Sequence, residues 1–120
     1  GGPIGRKQGL AFQVSDLQVM LDASRLLTYK AAAMKDAMDA GSSSVTTASF
    51  KQAAAVAKLY ATESAVTATR IATQVFGGYG FMEEYPVVRF YRDAKVLEIG
   101  EGTSEVQRML IARGLGLPVE

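Results

Sequence analysis

Two long stretches of the sequence carry apolar residues at helical spacing, and this pattern limits the fold more than any other feature. In residues 9–40 and again in residues 48–76, apolar side chains recur at steps of three, four or seven, the spacing of one face of an α-helix. Gly41 and the serines after it form a stop signal, and Thr46 or Thr47 follows as a candidate N-cap. The sequence therefore predicts two long helices joined as an antiparallel hairpin.

The rest of the chain is predicted to be less regular. Glycines within residues 77–80 end the second helix, and residues 81–100, which contain Pro86, are expected to form short helical pieces and loops. A last, shorter helix is predicted from about residue 103 to residue 113. Two long antiparallel helices and a shorter terminal helix make an incomplete bundle.

The predicted fold is all-α: an incomplete up-and-down four-helix bundle, formed as one domain by residues 1–120. The apolar stripe of the first long helix is too wide for a helix that lies on a surface, and the small residues on one face of the second suggest a close helix crossing. Three elements of this width leave one face without cover. A missing helix or a partner is expected to cover that face.

The composition excludes several classes of site and partner. With 13 Lys and Arg against 12 Asp and Glu, the formal net charge of +1 does not favour binding to nucleic acid. The sequence contains neither Cys nor His, so no disulfide, thiolate nucleophile or metal site is predicted. No apolar run reaches the ~20 residues of a membrane span, and the first residues lack the apolar stretch of a signal peptide. We therefore expect a protein that is not secreted, in which carboxylates, hydroxyls, backbone groups or a borrowed cofactor do any chemistry.

Glu101 stands between Gly100 and Gly102, immediately before the predicted last helix. The glycines let a ligand approach the main chain closely. Thr103 is a plausible N-cap, and Glu105 lies in the first turn, where free N–H groups and the helix dipole favour an anionic group. Acidic residues are also ordinary stabilisers of helix starts. The spacing alone leaves both interpretations of Glu101 open.

Two other motifs have a structural interpretation. Residues 77–80 contain a G-x-G, but a helix and not a strand precedes them, so they favour a helix terminator over a dinucleotide-binding loop. Arg92 and Asp93 form either a buried ion pair or a solvated charge cluster.

Four linked motifs give the chain a resemblance to a known family. They are residues 74–81 (QVFGGYGF), 84–87 (EYPV), 91–95 (YRDAK) and 101–108 (EGTSEVQR), with IAR following at 111–113. In this order and spacing they resemble the C-terminal signature of the acyl-CoA dehydrogenases. Residues 1–4, Gln8 and residues 16–17 resemble the stretch that opens the family's C-terminal region. The resemblance covers nearly the whole chain and implies the C-terminal helical domain of a longer flavoenzyme, without the first helix of its bundle and without the N-terminal and middle domains.

The resemblance also implies roles for individual residues. Glu101 matches the base that removes the α-proton of an acyl-CoA thioester while FAD accepts the β-hydride, and Gly100 and Gly102 match positions that line the substrate. The positions that match FAD contacts are Thr103 and Glu105 and, toward the adenosine half of FAD in a neighbouring subunit, Gln8, Gln74, Gly77 and Gly78. The implied partners are an acyl-CoA substrate, electron-transfer flavoprotein or a similar acceptor, and further copies in a homodimer or dimer of dimers. The isolated fragment is expected to be inactive, and the implied location is the bacterial cytoplasm or the mitochondrial matrix.

One position departs from the family pattern. The residue before the base is usually Tyr, and here it is Gly100, which removes an aromatic wall from the acyl pocket and predicts room for a wider or branched acyl group. Two other functions stay open beside the dehydrogenase. One is a helical oligomerisation or interaction module without chemistry, and the other is an acyl-CoA oxidase of the same fold.

Overall fold

The computed structural model describes residues 1–119, which contain four α-helices, two short 3₁₀-helices and no strand. The α-helices are α1 (Gln8–Asp39), α2 (Thr47–Phe76), α3 (Pro86–Ile99) and α4 (Ser104–Gly114), and the 3₁₀-helices are Ile4–Arg6 and Gly77–Gly80. None of the helices within residues 1–119 is both long and apolar enough to cross a membrane. The all-α prediction is confirmed, and both long helices begin and end within one residue of their predicted limits.

The predicted hairpin of α1 and α2 is fixed at both ends of its turn. Of the two candidate N-caps of α2, Thr46 is the one used. Its hydroxyl accepts a hydrogen bond from the N–H of Ser49 at 3.1 Å, and the Ser49 hydroxyl accepts one from the N–H of Thr46 at 3.0 Å. This reciprocal capping box satisfies two backbone donors at the start of α2. At the other end, Gly41 follows α1 with φ of 79°, a conformation that favours glycine.

The prediction of short pieces and loops before the last helix is wrong, because α3 is one continuous helix over most of that stretch. Pro86 does not interrupt α3, since it stands at the first turn, where an N–H has no intrahelical partner and the fixed φ of proline suits a helix. Val87 and Ala94, two turns apart on α3, are buried. Arg92 and Asp93 are exposed, so this pair belongs to a solvated charge cluster.

α2 is the central helix and packs against each of the other three. Small buried residues such as Ala57 let the neighbouring backbones approach closely. An ion pair between Arg108 Nη2 and Glu63 Oε1, at 2.6 Å, ties α4 to α2. Gly114, near the end of α4, packs directly against the side chain of Gln52. α2 therefore positions α4, whose first turn carries the candidate site.

The four helices form an elongated body with exposed apolar surface. The radius of gyration is 17.9 Å, whereas a compact domain of this length has one of about 14 Å. No large side chain within residues 1–119 is fully buried, and Phe12, Val19 and Leu26 of α1 are 59%, 65% and 68% exposed. Because these three residues are seven apart, they lie along one face of α1. An uncovered apolar face is what the prediction of an incomplete bundle requires.

Candidate functional site

The loop between α3 and α4 holds Glu101 in an unusual backbone conformation. We refer to residues 100–103 as the Glu101 loop. Glu101 has φ of 54° and is the one non-glycine residue with positive φ in residues 1–119, and Gly102 follows with φ of 91°. A left-handed conformation costs a residue with a Cβ roughly 1–2 kcal/mol. Such a conformation persists only where neighbouring contacts determine it.

Two side chains from different helices hold the carbonyl groups of the Glu101 loop. Lys58 Nζ, from the middle of α2, donates to the carbonyl oxygen of Gly102 at 2.6 Å. Gln107 Nε2, from α4, donates to the same oxygen at 3.1 Å and lies 3.4 Å from the carbonyl oxygen of Glu101. Gln107 is buried, with 6% of its surface exposed. These hydrogen bonds supply the contacts that the strained backbone needs.

The start of α4 has the cap and the charge that the sequence predicts. The Thr103 hydroxyl accepts a hydrogen bond from the N–H of Val106 at 3.4 Å, which makes Thr103 the N-cap. Hydrogen bonds from its own backbone N–H and from the Thr103 hydroxyl lower the pKa of Glu105, which lies in the first turn. The ionised carboxylate of Glu105 therefore favours the folded helix above its unfolded pKa, and this contribution disappears as the pH falls through the lowered folded value.

The backbone at Gly100 does not require glycine. Its φ of −73° and ψ of 158° are open to any residue. A Cβ built on Gly100 would lie 3.4 Å from the carbonyl oxygen of Val96, at the edge of ordinary contact, and would meet no other neighbour within 4 Å. Gly100 thus leaves space beside Glu101 that a larger side chain can occupy.

Glu101 itself is exposed to solvent. A carboxylate that removes a proton from carbon works best where closure of the site excludes bulk water. Within residues 1–119 Glu101 is not enclosed, so a site of that kind would require cover from elsewhere.

A second group of predicted residues lies at the other end of α2. Gln8 is the first residue of α1, and because α1 and α2 run antiparallel it lies at the same end of the hairpin as Gln74. Gly77, with φ of 60°, ends α2, and the 3₁₀-helix that it begins also contains Gly78. A pocket of about 520 Å³ opens beside these glycines and is lined by Gly78, Tyr79, Met82, Glu84 and Tyr85. We refer to Gln8, Gln74, Gly77 and Gly78 as the hairpin-end cluster.

The Glu101 loop and the hairpin-end cluster lie far apart. Lys58 marks the level of the loop on α2, and Gln74 follows 16 residues later (74 minus 58). At 1.5 Å per residue, the two levels are roughly 24 Å apart along the helix. The structure therefore brings the predicted site residues together in two groups and not in one.

Sequence reasoning missed Lys58 and the aromatic residues beside Gly78. Lys58 is a single charge in an apolar stretch, residues 53–60, and this isolation is the signal that could have set it apart from surface lysines. The rings of Tyr79 and Tyr85 have centroids 5.1 Å apart and form part of the pocket wall. Nothing in the local pattern of the sequence distinguishes them from core aromatics.

The residue types in both groups are compatible with a flavin dinucleotide. The amides of Gln8 and Gln74 can donate and accept hydrogen bonds. A Cβ added at Gly77 or Gly78 would meet no atom within 4 Å, so a ligand can approach the backbone there. The first N–H groups of α4 have no intrahelical acceptor and suit a phosphate or a polar ring atom.

No cluster of three or more potential metal-ligating side chains lies within residues 1–119.

Comparison with known proteins supports one family. The family model described as "Acyl-CoA dehydrogenase, C-terminal domain" matches residues 1–116. The mitochondrial short-chain specific acyl-CoA dehydrogenase of Bos taurus is 41% identical over 93% of the chain and 25% of its own length.

Solved structures share the fold over most of the chain. Butyryl-CoA dehydrogenase from Megasphaera elsdenii superimposes with a TM-score of 0.83 at 41% identity, over 96% of this chain and 28% of that one. The structure described as the FAD complex of PigA has a TM-score of 0.84 at 30% identity, over 99% and 29%.

The chain spans about a quarter of the length of the relatives that it matches. The match lies in the helical region that contains both the hairpin and the Glu101 loop. Because the family model covers nearly all of the chain, the protein belongs to the acyl-CoA dehydrogenase family, in which it corresponds to the C-terminal domain.

Proposed function

We propose that the chain is the base-carrying C-terminal domain of an FAD-dependent acyl-CoA dehydrogenase that forms the α,β double bond of an acyl-CoA thioester. The observation that carries the proposal is Glu101, held at positive φ directly before α4 in a chain that the family model matches. Strained backbone that tertiary contacts hold in place is typical of sites that need a fixed functional group. A carboxylate at such a position suits removal of a proton from carbon.

In this proposal the residues of the Glu101 loop have different roles in the reaction. The Glu101 carboxylate takes the α-proton, so the electron pair of that C–H bond becomes the new double bond. The backbone of Gly102 lies along the thioester and orients the α-carbon toward Glu101. FAD, when bound, supplies the acceptor for the β-hydride.

The two groups of predicted cofactor residues support an assembly of several copies. Thr103 and Glu105 lie at the Glu101 loop, whereas the hairpin-end cluster is roughly 24 Å away along α2. We propose that the first pair contacts the FAD of its own subunit and that the hairpin-end cluster contacts the adenosine half of a neighbouring subunit's FAD. The chain would then work as a homodimer or a dimer of dimers.

The exposure of Glu101 and of the α1 face supports a larger protein. We propose that the middle domain of the full-length chain covers the Glu101 loop and that a further helix covers α1. The isolated domain would then be inactive. Electron-transfer flavoprotein or a similar acceptor would take the electrons. We propose the mitochondrial matrix or the bacterial cytoplasm as the location, because the relatives include mitochondrial and bacterial proteins.

The proposed function is tested on the purified full-length protein by its visible absorbance. We expect a yellow flavoprotein whose flavin absorbance bleaches on addition of an acyl-CoA, and an isolated 120-residue domain that is colourless and inactive. A full-length yellow protein that no acyl-CoA bleaches would contradict the dehydrogenase. An oxidase of the same fold would be revealed by rapid oxygen consumption after bleaching.

Substitution of Gly100 by tyrosine is expected to narrow the acyl pocket. Gly100 has backbone angles open to any residue and space beside it. We therefore expect kcat/KM for branched acyl-CoA substrates to fall by about 10–200-fold, while that for a short straight chain stays nearly unchanged. Steady-state rates across a set of straight, branched and aromatic acyl-CoAs measure this ratio.

The matched control for the tyrosine variant is Gly100→Ala, which adds a Cβ without filling the space. It should leave the preference among acyl groups as it is. If the tyrosine variant keeps the same preference as the unmodified enzyme, Gly100 does not shape the acyl pocket.

A further inference from the structure

Lys58 makes a long-range contact that the proposed chemistry does not yet use. It is a half-buried residue in the middle of α2, and its ammonium group reaches the carbonyl oxygen of Gly102, 44 residues later, at 2.6 Å. Its neighbours on α2 in residues 53–60 are uncharged. A lysine in such surroundings is costly unless its charged end has a partner. The Gly102 carbonyl is that partner.

The contact of Lys58 falls on the peptide between Gly102 and Thr103, one residue after Glu101. Glu101 and Gly102 both have positive φ. Because the Cβ of Glu101 disfavours this conformation, contacts with other residues must hold the loop in it. A hydrogen bond from an ammonium group is roughly twice as strong as one from a neutral donor. Gln107 offers the same carbonyl only a neutral amide, at 3.1 Å. Lys58 is therefore the stronger of the two contacts on the Gly102 carbonyl.

The docking of α4 on α2 has contacts other than that of Lys58. The ion pair of Arg108 with Glu63, at 2.6 Å, and the packing of Gly114 on Gln52 already join the two helices. The contribution of Lys58 is thus concentrated on the Glu101 loop and not on the helix that follows.

We propose that Lys58 is a positioning residue for Glu101, which fixes the base through the carbonyl group of Gly102 and does not itself contact the substrate. This inference rests on the proposed function, in which Glu101 is the base. A general base gains its rate from a near-attack geometry, and a displacement of about 1 Å can cost about a hundredfold in rate. Loss of the Lys58 contact frees the peptide between Gly102 and Thr103, one residue from the base, and permits displacements of that kind.

The test is Lys58→Met in the full-length flavoprotein. Methionine keeps a long unbranched side chain but has no donor. We expect kcat to fall by about 10–100-fold with KM for acyl-CoA changed by less than about threefold, because the substrate contacts remain and the base is misplaced. Lys58→Arg restores a charged donor and should recover most of the rate.

The matched control is Lys51→Met, which removes an exposed lysine two turns earlier on the same helix. It should alter neither kcat nor KM. An equal loss of rate in both variants would show a general effect of charge on α2 and would overturn the proposal.

Hydrogen exchange gives a second readout that does not depend on turnover. In Lys58→Met, we expect the amides of residues 100–104 to exchange at least about tenfold faster, while those of α1 and of the rest of α2 keep their rates. Unchanged exchange in the Glu101 loop would overturn the positioning role. If methionine prevents folding, the comparison of Lys58→Gln with Lys58→Arg replaces it, and equal rates for the two would also overturn the proposal.

The outcome for Glu101 separates this inference from the proposed function. If Glu101→Gln turns over substrate normally, the proposed function fails, whatever the result for Lys58. If Glu101→Gln is inactive but Lys58→Met is fully active with a protected loop, the proposed function stands and the positioning role fails.

Discussion

Replacement of Glu101 by glutamine in the full-length protein is expected to lower the turnover of acyl-CoA by about 10²–10⁴-fold, the contribution typical of a positioned general base. Glutamine keeps the size of the side chain and has no basic oxygen, so the α-proton has no acceptor on this wall of the site. Binding of acyl-CoA should be nearly unchanged, since the contacts of the Glu101 loop are made by its backbone. The substitution should therefore lower kcat and leave KM nearly unchanged.

The measurement is the rate of flavin bleaching after rapid mixing of the variant with acyl-CoA. Glu83→Gln is the matched control, because Glu83 is an exposed glutamate in the turn before α3 and outside both groups of site residues. The control should bleach at the unmodified rate. The bleaching rate of Glu101→Asp should lie between those of Glu101→Gln and Glu83→Gln, since its shorter side chain withdraws the carboxylate by one methylene from the substrate.

A different result for Glu101→Gln would favour the interaction module. Such a module has no chemistry to lose, so it predicts turnover within a small factor of the unmodified protein. The strained φ of Glu101 would then serve only to join α3 to α4. The hydrogen bonds from Lys58 and Gln107 would be structural contacts of that junction.

The sequence predicts those parts of the fold that depend on local signals. The ends of α1 and α2 follow from Gly41 and from the residues around Thr46, because a cap or a stop acts within one helical turn. α3 escaped prediction because Pro86 reads as a breaker from its identity alone. Its effect depends on position: at the first turn it starts a helix, and only the structure shows that Val87 and Ala94 are buried against the bundle.

The candidate site, like the fold, could be predicted from the sequence only where local signals determine it. A carboxylate before a capped helix start could be found from the order of Glu101 and Thr103, because the cap geometry is local. The positive φ of Glu101 could not, since it depends on hydrogen bonds from residues distant in sequence. Lys58 contacts Gly102 across 44 residues. Its apolar neighbours set it apart from other lysines, but no local pattern indicates which loop it will meet.

The apolar pattern of α1 is wider than the face that a single neighbouring helix can cover. A helix that meets only one neighbour can bury only one stripe, and α1 packs mainly on α2. Phe12, Val19 and Leu26 fall outside that stripe and stay exposed. The same argument applies to the exposed Glu101: in the proposed enzyme, surfaces outside residues 1–119 would cover both the apolar face of α1 and the Glu101 loop.

Replacement of Gly80 by alanine is expected to give the largest loss of stability among the glycine-to-alanine substitutions in the described residues. Gly80 is buried in the 3₁₀-helix after α2, and a Cβ there would lie 2.2 Å from the carbonyl oxygen of Thr73 and 2.9 Å from its carbonyl carbon. Both atoms belong to the backbone of α2, so no side chain can rotate to relieve the overlap. We expect a loss of about 1–3 kcal/mol in the free energy of unfolding, as for overpacking against a rigid neighbour.

Thermal unfolding of the full-length protein measures this loss, and Gly9→Ala is its control. Gly9 lies in the first turn of α1, where an added Cβ meets no atom within 4 Å, and alanine is favoured over glycine in a helix by about 1 kcal/mol. The two variants, which make the same chemical change, should therefore shift the unfolding temperature in opposite directions. If Gly80→Ala unfolds at the unmodified temperature, the end of α2 can move away from Thr73. The hairpin-end cluster, which contains Gly77 and Gly78, would then not be rigidly positioned for a cofactor.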